Sequence, residues 1–340
     1  MKHLKVGFVV LSLAVVSFFY YTASASGQEK TITLSYSTVF PAPHKMGLLS
    51  DAWGKEIEKR TNGMIKVRIF YGGTLTPPDK GFDYVVKGIS DIAVVAPSYT
   101  VGRFPLLEVF DYPLGYTSSV NATRLVNEFY NKFKPKELDE AKVLYFINST
   151  GAGLHTNKAV NKMEDLKGMK IRSTGTTAKV VDALGGIPVA LPIGDTYDGL
   201  SRGVINGIMA MVEALEGWKF AEVTKYTTEA KSANVAILMC IVMNKAKWNT
   251  IPADAQKIIE EVNAEWIEKT AKSWDEMERS ARDFSLKLGH NFIRVSKEED
   301  ARWAKTIEPL FDEYVKEKKA KGLPAEEVLK FSRERLEQLQ

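Results

Sequence analysis

Asp165-Leu166-Lys167-Gly168-Met169-Lys170-Ile171-Arg172-Ser173-Thr174-Gly175-Thr176-Thr177 reads as a turn, a short strand and the entry to a helix. Gly168 suits the turn and Lys170 to Arg172 the strand, with the helix expected over Ala178 to Leu184. Arg172 therefore stands at the carboxyl end of a strand, the edge at which α/β folds bind ligands. Hydroxyl side chains and a helix N-terminus lie beside it, and that terminus carries unsatisfied N–H groups. A guanidinium fork next to a positive helix end suits a carboxylate, which accepts two parallel hydrogen bonds. The competing reading makes Arg172 half of a surface salt bridge and Thr176 only a cap.

Outward from this unit the chain alternates strands and helices. Lys30 to Thr38 alternates apolar and polar residues as a strand does. A helix over Lys45 to Thr61 ends at Asn62-Gly63, and strands follow at Met64 to Tyr71 and Asp91 to Ala96, with a helix at Asp79 to Lys87 between them. Phe104 to Tyr116 reads as an irregular connection. A helix over Val120 to Lys132 precedes a strand at Ala141 to Asn148. After Arg172 come a helix near Thr196 to Ser201 and strands at Ile205 to Val212 and Ala233 to Met243. A long amphipathic helix begins after Pro252, with Ile258, Ile259, Val262 and Trp266 on one stripe. Such alternation argues an α/β protein.

Val85-Val86-Lys87-Gly88-Ile89-Ser90-Asp91-Ile92-Ala93 is echoed by Leu200-Ser201-Arg202-Gly203-Val204-Ile205-Asn206-Gly207-Ile208. In both, a helix with a cation in its last turn stops at glycine, and Asp or Asn opens a strand. Two such units suggest two lobes of like construction with a cleft between them. Coincidence competes with this, because helix-Gly-strand units are common in α/β folds.

The chain has 340 residues, 45% hydrophobic and 26% charged, enough for two domains with separate cores. Its first 25 residues carry Lys2 and Lys5, an uncharged run from Val6 to Tyr21, and Ala23-Ser24-Ala25. This is the pattern of a secretory signal cleaved near Ala25, an uncleaved anchor being the alternative. The mature protein is then expected in a periplasm and not embedded in a membrane. The formal net charge of +4 falls to +2 without Lys2 and Lys5, which is no nucleic-acid footprint. The one cysteine, Cys240, lies in the apolar run VAILMCIVM and reads as a core residue.

Catalytic signatures are sparse. His44, His155 and His290 show no zinc-ligand spacing, and neither a G-x-S-x-G elbow nor a Walker A loop is present. Thr150-Gly151-Ala152-Gly153 follows a strand, but Thr156 stands where a dinucleotide fingerprint needs a small residue. Glu260-Glu261 and Glu298-Glu299-Asp300 read as solvated helix faces. No cofactor and no metal are expected, and the chain reads as a non-enzyme.

Met163 to Arg172 closely resembles the DLKGxKIR signature of solute-binding proteins of tripartite ATP-independent periplasmic (TRAP) transporters, DctP type. The likeness continues in order through Leu184-Gly185-Gly186-Ile187-Pro188-Val189, Asp195-Thr196-Tyr197-Asp198-Gly199-Leu200 and Arg202 to Gly207. It also includes Thr61-Asn62-Gly63, Lys87 to Asp91 and Gly102-Arg103-Phe104-Pro105. The resemblance implies two α/β lobes, crossing hinge strands and a long helix spanning both. Lobe I is then 26–149 plus about 234–255, and lobe II 150–233 plus about 280–300. The spanning helix is 252–290 and the C-terminal helices 300–340.

The resemblance also implies capture of an organic acid and delivery to TRAP permease subunits in the membrane. The family's carboxylate-clamping arginine falls on Arg172, with Thr174 and Thr176 supporting it. Phe40, His44, Tyr99, Met211, Glu213 and Trp218 resemble cleft positions, each with core packing as the alternative. Many members carry a second arginine where this chain reads Thr150 to His155; its absence points to a monocarboxylate with an apolar or aromatic body. His155 is expected to supply part of that charge if protonated, and Glu213 is the candidate if a cation sits beside the carboxylate. Two rival functions remain: a secreted enzyme using Glu213 and His155, and a binding protein for an ATP-driven importer.

Overall fold

Central strands buried on both faces and helices buried along one stripe build the architecture. The computed structural model describes residues 31–340, so the expected signal segment and its cleavage near Ala25 lie outside the described residues. In chain order, the first part comprises β1 (Ile32–Ser37), α1 (Lys45–Arg60), β2 (Ile65–Phe70), α2 (Gly81–Val86), β3 (Ile92–Val95), α3 (Ser119–Phe133) and β4 (Ala141–Ser149). Next come β5 (Ala152–Thr156), β6 (Lys170–Arg172), α4 (Gly175–Ala183), β7 (Ile187–Val189), α5 (Thr196–Ser201), β8 (Gly207–Met211), α6 (Ala214–Gly217) and β9 (Tyr226–Glu229). The last part holds β10 (Ile237–Asn244), α7 (Lys245–Trp248), α8 (Ala253–Lys287), β11 (Asn291–Arg294), α9 (Lys297–Ile307), α10 (Pro309–Ala320) and α11 (Ala325–Leu339).

These elements make two sheets. One has the order β2-β1-β3-β10-β4, with β1 parallel to β2 and β3 while β10 runs antiparallel to β3 and β4. The other has the order β11-β9-β5-β8-β6-β7, with β6 parallel to β7 and β8. The chain crosses from the first sheet to the second after β4, returns between β9 and β10, and crosses again through α8 to β11. At 35 residues, α8 is roughly 50 Å long. Its Ile259, Val262, Trp266 and Trp274 share a core with β1 and α1, and its Ala281 shares one with β8. One helix therefore serves both sheets.

Several expectations need correction. The helix after Arg172 begins at Gly175, three residues early, because Thr174 N–H donates to Thr177 Oγ1 at 3.0 Å and anchors the first turn. The strand expected from Ala233 begins at Ile237, since Lys231–Ala233 form a 3₁₀ turn. Strands β5, β7, β9 and β11 were not foreseen. Glu299 belongs to no solvated face: it is buried and accepts hydrogen bonds from Met163 N–H and Trp303 Nε1–H, both at 2.8 Å. Cys240 is buried as read, and burial pushes its thiol up to about 12. Among the described residues no helix is long and apolar enough to cross a membrane.

Candidate functional site

Strand β6 lies between β7 and β8 and delivers Arg172 at its carboxyl end, where the chain turns through Ser173 and Thr174 into α4. Arg172 is only 4% exposed. Its Nε–H donates to the Leu191 carbonyl and an Nη2–H to the Tyr99 hydroxyl, each at 2.9 Å. Neither partner is charged, so among the described residues the guanidinium charge is uncompensated. A buried cation held in place by neutral groups is prepared for an anion.

Tyr99 arrives from the other sheet, on the 3₁₀ turn Pro97–Tyr99 that follows β3. Its hydroxyl oxygen also accepts the Ile193 N–H at 3.2 Å. With two donors on its oxygen, the phenol has its own proton left to donate to a third partner. Arg172 and Tyr99, carried by different sheets, thus present donors side by side in one cavity.

That cavity lies between the sheets and measures about 60 Å³. Phe40, Tyr99, Arg172, Thr174, Met211 and Trp218 all line it. Arg172 is the one charged side chain on the wall among the described residues. The remaining surface is mostly apolar; Met209 comes from the thioether-rich run Ile208 to Met211, and Ile237 and Met239 are lining residues that sequence reasoning missed. Their signal was present in period-two spacing: Met209 with Met211 on β8, and Ile237 with Met239 on β10, share a strand face.

The other candidates stand elsewhere. His44 and Glu213 line a neighbouring groove of about 470 Å³, behind Phe40 and Trp218. The His44 ring lies 4.7 Å from Phe40 and 5.6 Å from Trp218, centroid to centroid. Its Nδ1 accepts the Met46 N–H at 3.1 Å, which places the proton of the neutral ring on Nε2. Nε2 stands 2.8 Å from Glu213 Oε1 but off the line of the N–H, a close polar contact and not a hydrogen bond. Thr176 does not reach the cavity; its hydroxyl donates to the Glu108 carbonyl at 3.3 Å.

His155 must also be corrected. It is fully buried in β5, with Nε2 facing the Ala210 and Met211 carbonyls at 3.0 and 3.2 Å. Nε2 therefore carries the proton and donates, and Nδ1 accepts from the Thr227 hydroxyl at 2.8 Å. The Thr227 oxygen accepts in turn from His290 Nε2 at 2.8 Å. Burial pushes His155 down to about 4, so the ring is neutral at pH 7 and adds no charge to the cleft. With both nitrogens engaged by protein groups, it is also no base for an enzyme. Exposed Arg103 lies outside the cavity, paired with Glu140 at 2.5 Å.

A larger groove of about 880 Å³ opens where the chain crosses between the sheets. Its walls carry charges of both signs, including the Arg282–Glu229 ion pair, and offer no lone buried cation. Among the described residues no cluster of three or more His, Cys, Asp or Glu side chains is arranged to hold a metal.

The family described as bacterial extracellular solute-binding protein, family 7 (DctP), matches residues 36–318. The chain belongs to this family. It is similar to the C4-dicarboxylate-binding periplasmic protein DctP of Vibrio cholerae, 27% identical, with 90% of this chain and 92% of that protein covered. A TRAP periplasmic solute-binding protein of Desulfovibrio salexigens is 31% identical, with a TM-score of 0.78 over 90% of this chain and 95% of that one. A TRAP solute-binding protein from an unidentified microbe of a marine metagenome, described as specific for aromatic acid ligands, is 26% identical. Its TM-score is 0.86, over 91% of this chain and 99% of that one. The chain is thus a TRAP solute-binding protein of the DctP type with the two-lobed α/β fold of that group. Its family and neighbours are substrate-binding proteins.

Proposed function

We propose that this protein captures a small organic monocarboxylate with an apolar or aromatic body and hands it to a TRAP membrane permease. The observation that carries the reading is a single buried, uncompensated cation, Arg172, on an otherwise mostly apolar wall. The ligand carboxylate takes the guanidinium and the Tyr99 hydroxyl proton, while Phe40, Met211 and Trp218 enclose its body. A second carboxylate would meet no fixed cation there, and burying it unpaired costs several kcal/mol. The relative specific for aromatic acid ligands supports this reading. The C4-dicarboxylate-binding relative supports the alternative of a dicarboxylate.

In this reading lobe I comprises 26–149 with about 234–255, and lobe II 150–233 with about 280–300. The protein acts in the periplasm after removal of its first 25 residues, and it returns its ligand unchanged, as a binder does and an enzyme does not. A thermal-shift screen against an organic-acid library tests the assignment, because a ligand at 100 times its Kd adds about 2.7 kcal/mol of stability. Aromatic and branched monocarboxylates are expected to raise Tm in the wild type and not in Arg172→Ala. Equal shifts in both proteins would place the carboxylate elsewhere.

A further inference from the structure

The first turn of α4 lies against the turn that carries Tyr99. Thr174 Oγ1 stands 3.4 Å from Ser98 Oγ, and Thr176 bonds the Glu108 carbonyl, so helix and turns approach backbone to backbone. Between these contacts sits Gly175, with φ +53°. A Cβ built there would lie 2.9 Å from both Cα and Cβ of Ser98 and 3.1 Å from its carbonyl oxygen. Two of those three atoms are backbone, which cannot rotate out of the way. Ser98 precedes Tyr99, and Arg172 lies three residues before Gly175, so the same approach brings the Tyr99 hydroxyl to 2.9 Å from the guanidinium.

We propose that Gly175 is a positioning residue for ligand capture: its missing side chain lets the two halves meet closely enough to join Tyr99 to Arg172. The proposal rests on the reading of the cleft as one that closes on a carboxylate. Alanine at this position holds the halves apart by the width of a methyl group and leaves the anion site assembled from one side only. No ligand contact is deleted.

The control is Gly185. It has φ +88°, and nothing stands within 4 Å of a Cβ built on it. Gly185→Ala therefore carries comparable left-handed backbone strain without the wall. Closure is read without ligand by placing Ser98→Cys together with Thr174→Cys and following disulfide formation under mild oxidant, since the native Cys240 is buried. Adding Gly175→Ala is expected to slow crosslinking at least tenfold, and adding Gly185→Ala to leave it unchanged. Equal rates in all three proteins would overturn the proposal.

A second arm uses the acid found by the thermal-shift screen. Titration should show Gly175→Ala binding it at least tenfold more weakly and Gly185→Ala within twofold of wild type. Slowed crosslinking with unchanged affinity would contradict a role in capture. If no acid binds the wild type, the functional reading fails, and the crosslinking arm still decides whether Gly175 governs closure.

Discussion

Arg172 was legible because two local signals coincide on it, the end of a strand and the start of a helix. Its replacement by alanine should cost on the order of 2–5 kcal/mol of ligand binding, and lysine nearly as much, because neither restores the fork. Calorimetry finding the alanine variant within threefold of wild type would contradict this. Thr176 and His155 were not legible in the same way. A hydroxyl or imidazole does not reveal in sequence whether its partner is a ligand or the protein's own backbone, and both of these face carbonyl oxygens of the chain. His155 instead makes stability depend on pH. It titrates near 6.5 when unfolded and near 4 when folded, so as pH falls the unfolded chain takes up the proton first. The stabilisation it provides is complete above pH 6.5 and is lost as pH falls towards 4, in total about 3 kcal/mol. Urea unfolding at pH 7 and pH 5 should show a smaller difference for His155→Gln than for the wild type. The same difference in both proteins would show that the ring does not govern it.

At the scale of elements, long strands and helices declared themselves through periodicity, and short strands did not. β5 is buried at all five positions, so it shows no alternation, and its Ala152 and Gly153 are poor strand formers. β7, β9 and β11 have three or four residues each and exist because neighbours pair with them. The crossing between β4 and β5 depends on Gly151, whose φ is +82° and whose Cβ would meet Glu278 Oε2 at 2.7 Å. Glu278 accepts the Glu213 N–H at 3.2 Å, and burial raises its carboxyl well above the usual range. The half-buried Glu278 side chain can swing aside, so Gly151→Ala should destabilise the fold by about 1–2 kcal/mol, through left-handed backbone strain. An unchanged urea midpoint would show that the crossing tolerates a side chain.

Among the described residues, two sheets joined by crossing segments and by one long shared helix enclose a small, mostly apolar cavity whose one charged lining side chain is Arg172. Asp111 adds a second influence of pH: buried and accepting the Leu238 N–H at 2.8 Å, its carboxyl is pushed up to about 8. Its contribution has the opposite sign to that of His155, present in acid and lost as pH rises through about 8. Asp111→Asn should accordingly gain stability over the wild type as pH rises from 5 to 8, by at least about 1 kcal/mol, checked by thermal unfolding at both pH values. A gap that does not change with pH would contradict it. A competition titration at pH 7.5 decides whether the cleft takes one carboxylate with an apolar body. Succinate is set against a phenyl or branched-chain 2-oxo acid. The monocarboxylate should bind at least tenfold more tightly, from about 0.8 kcal/mol per buried methylene and the avoided burial of an unpaired charge. Succinate binding as tightly or more tightly would contradict it.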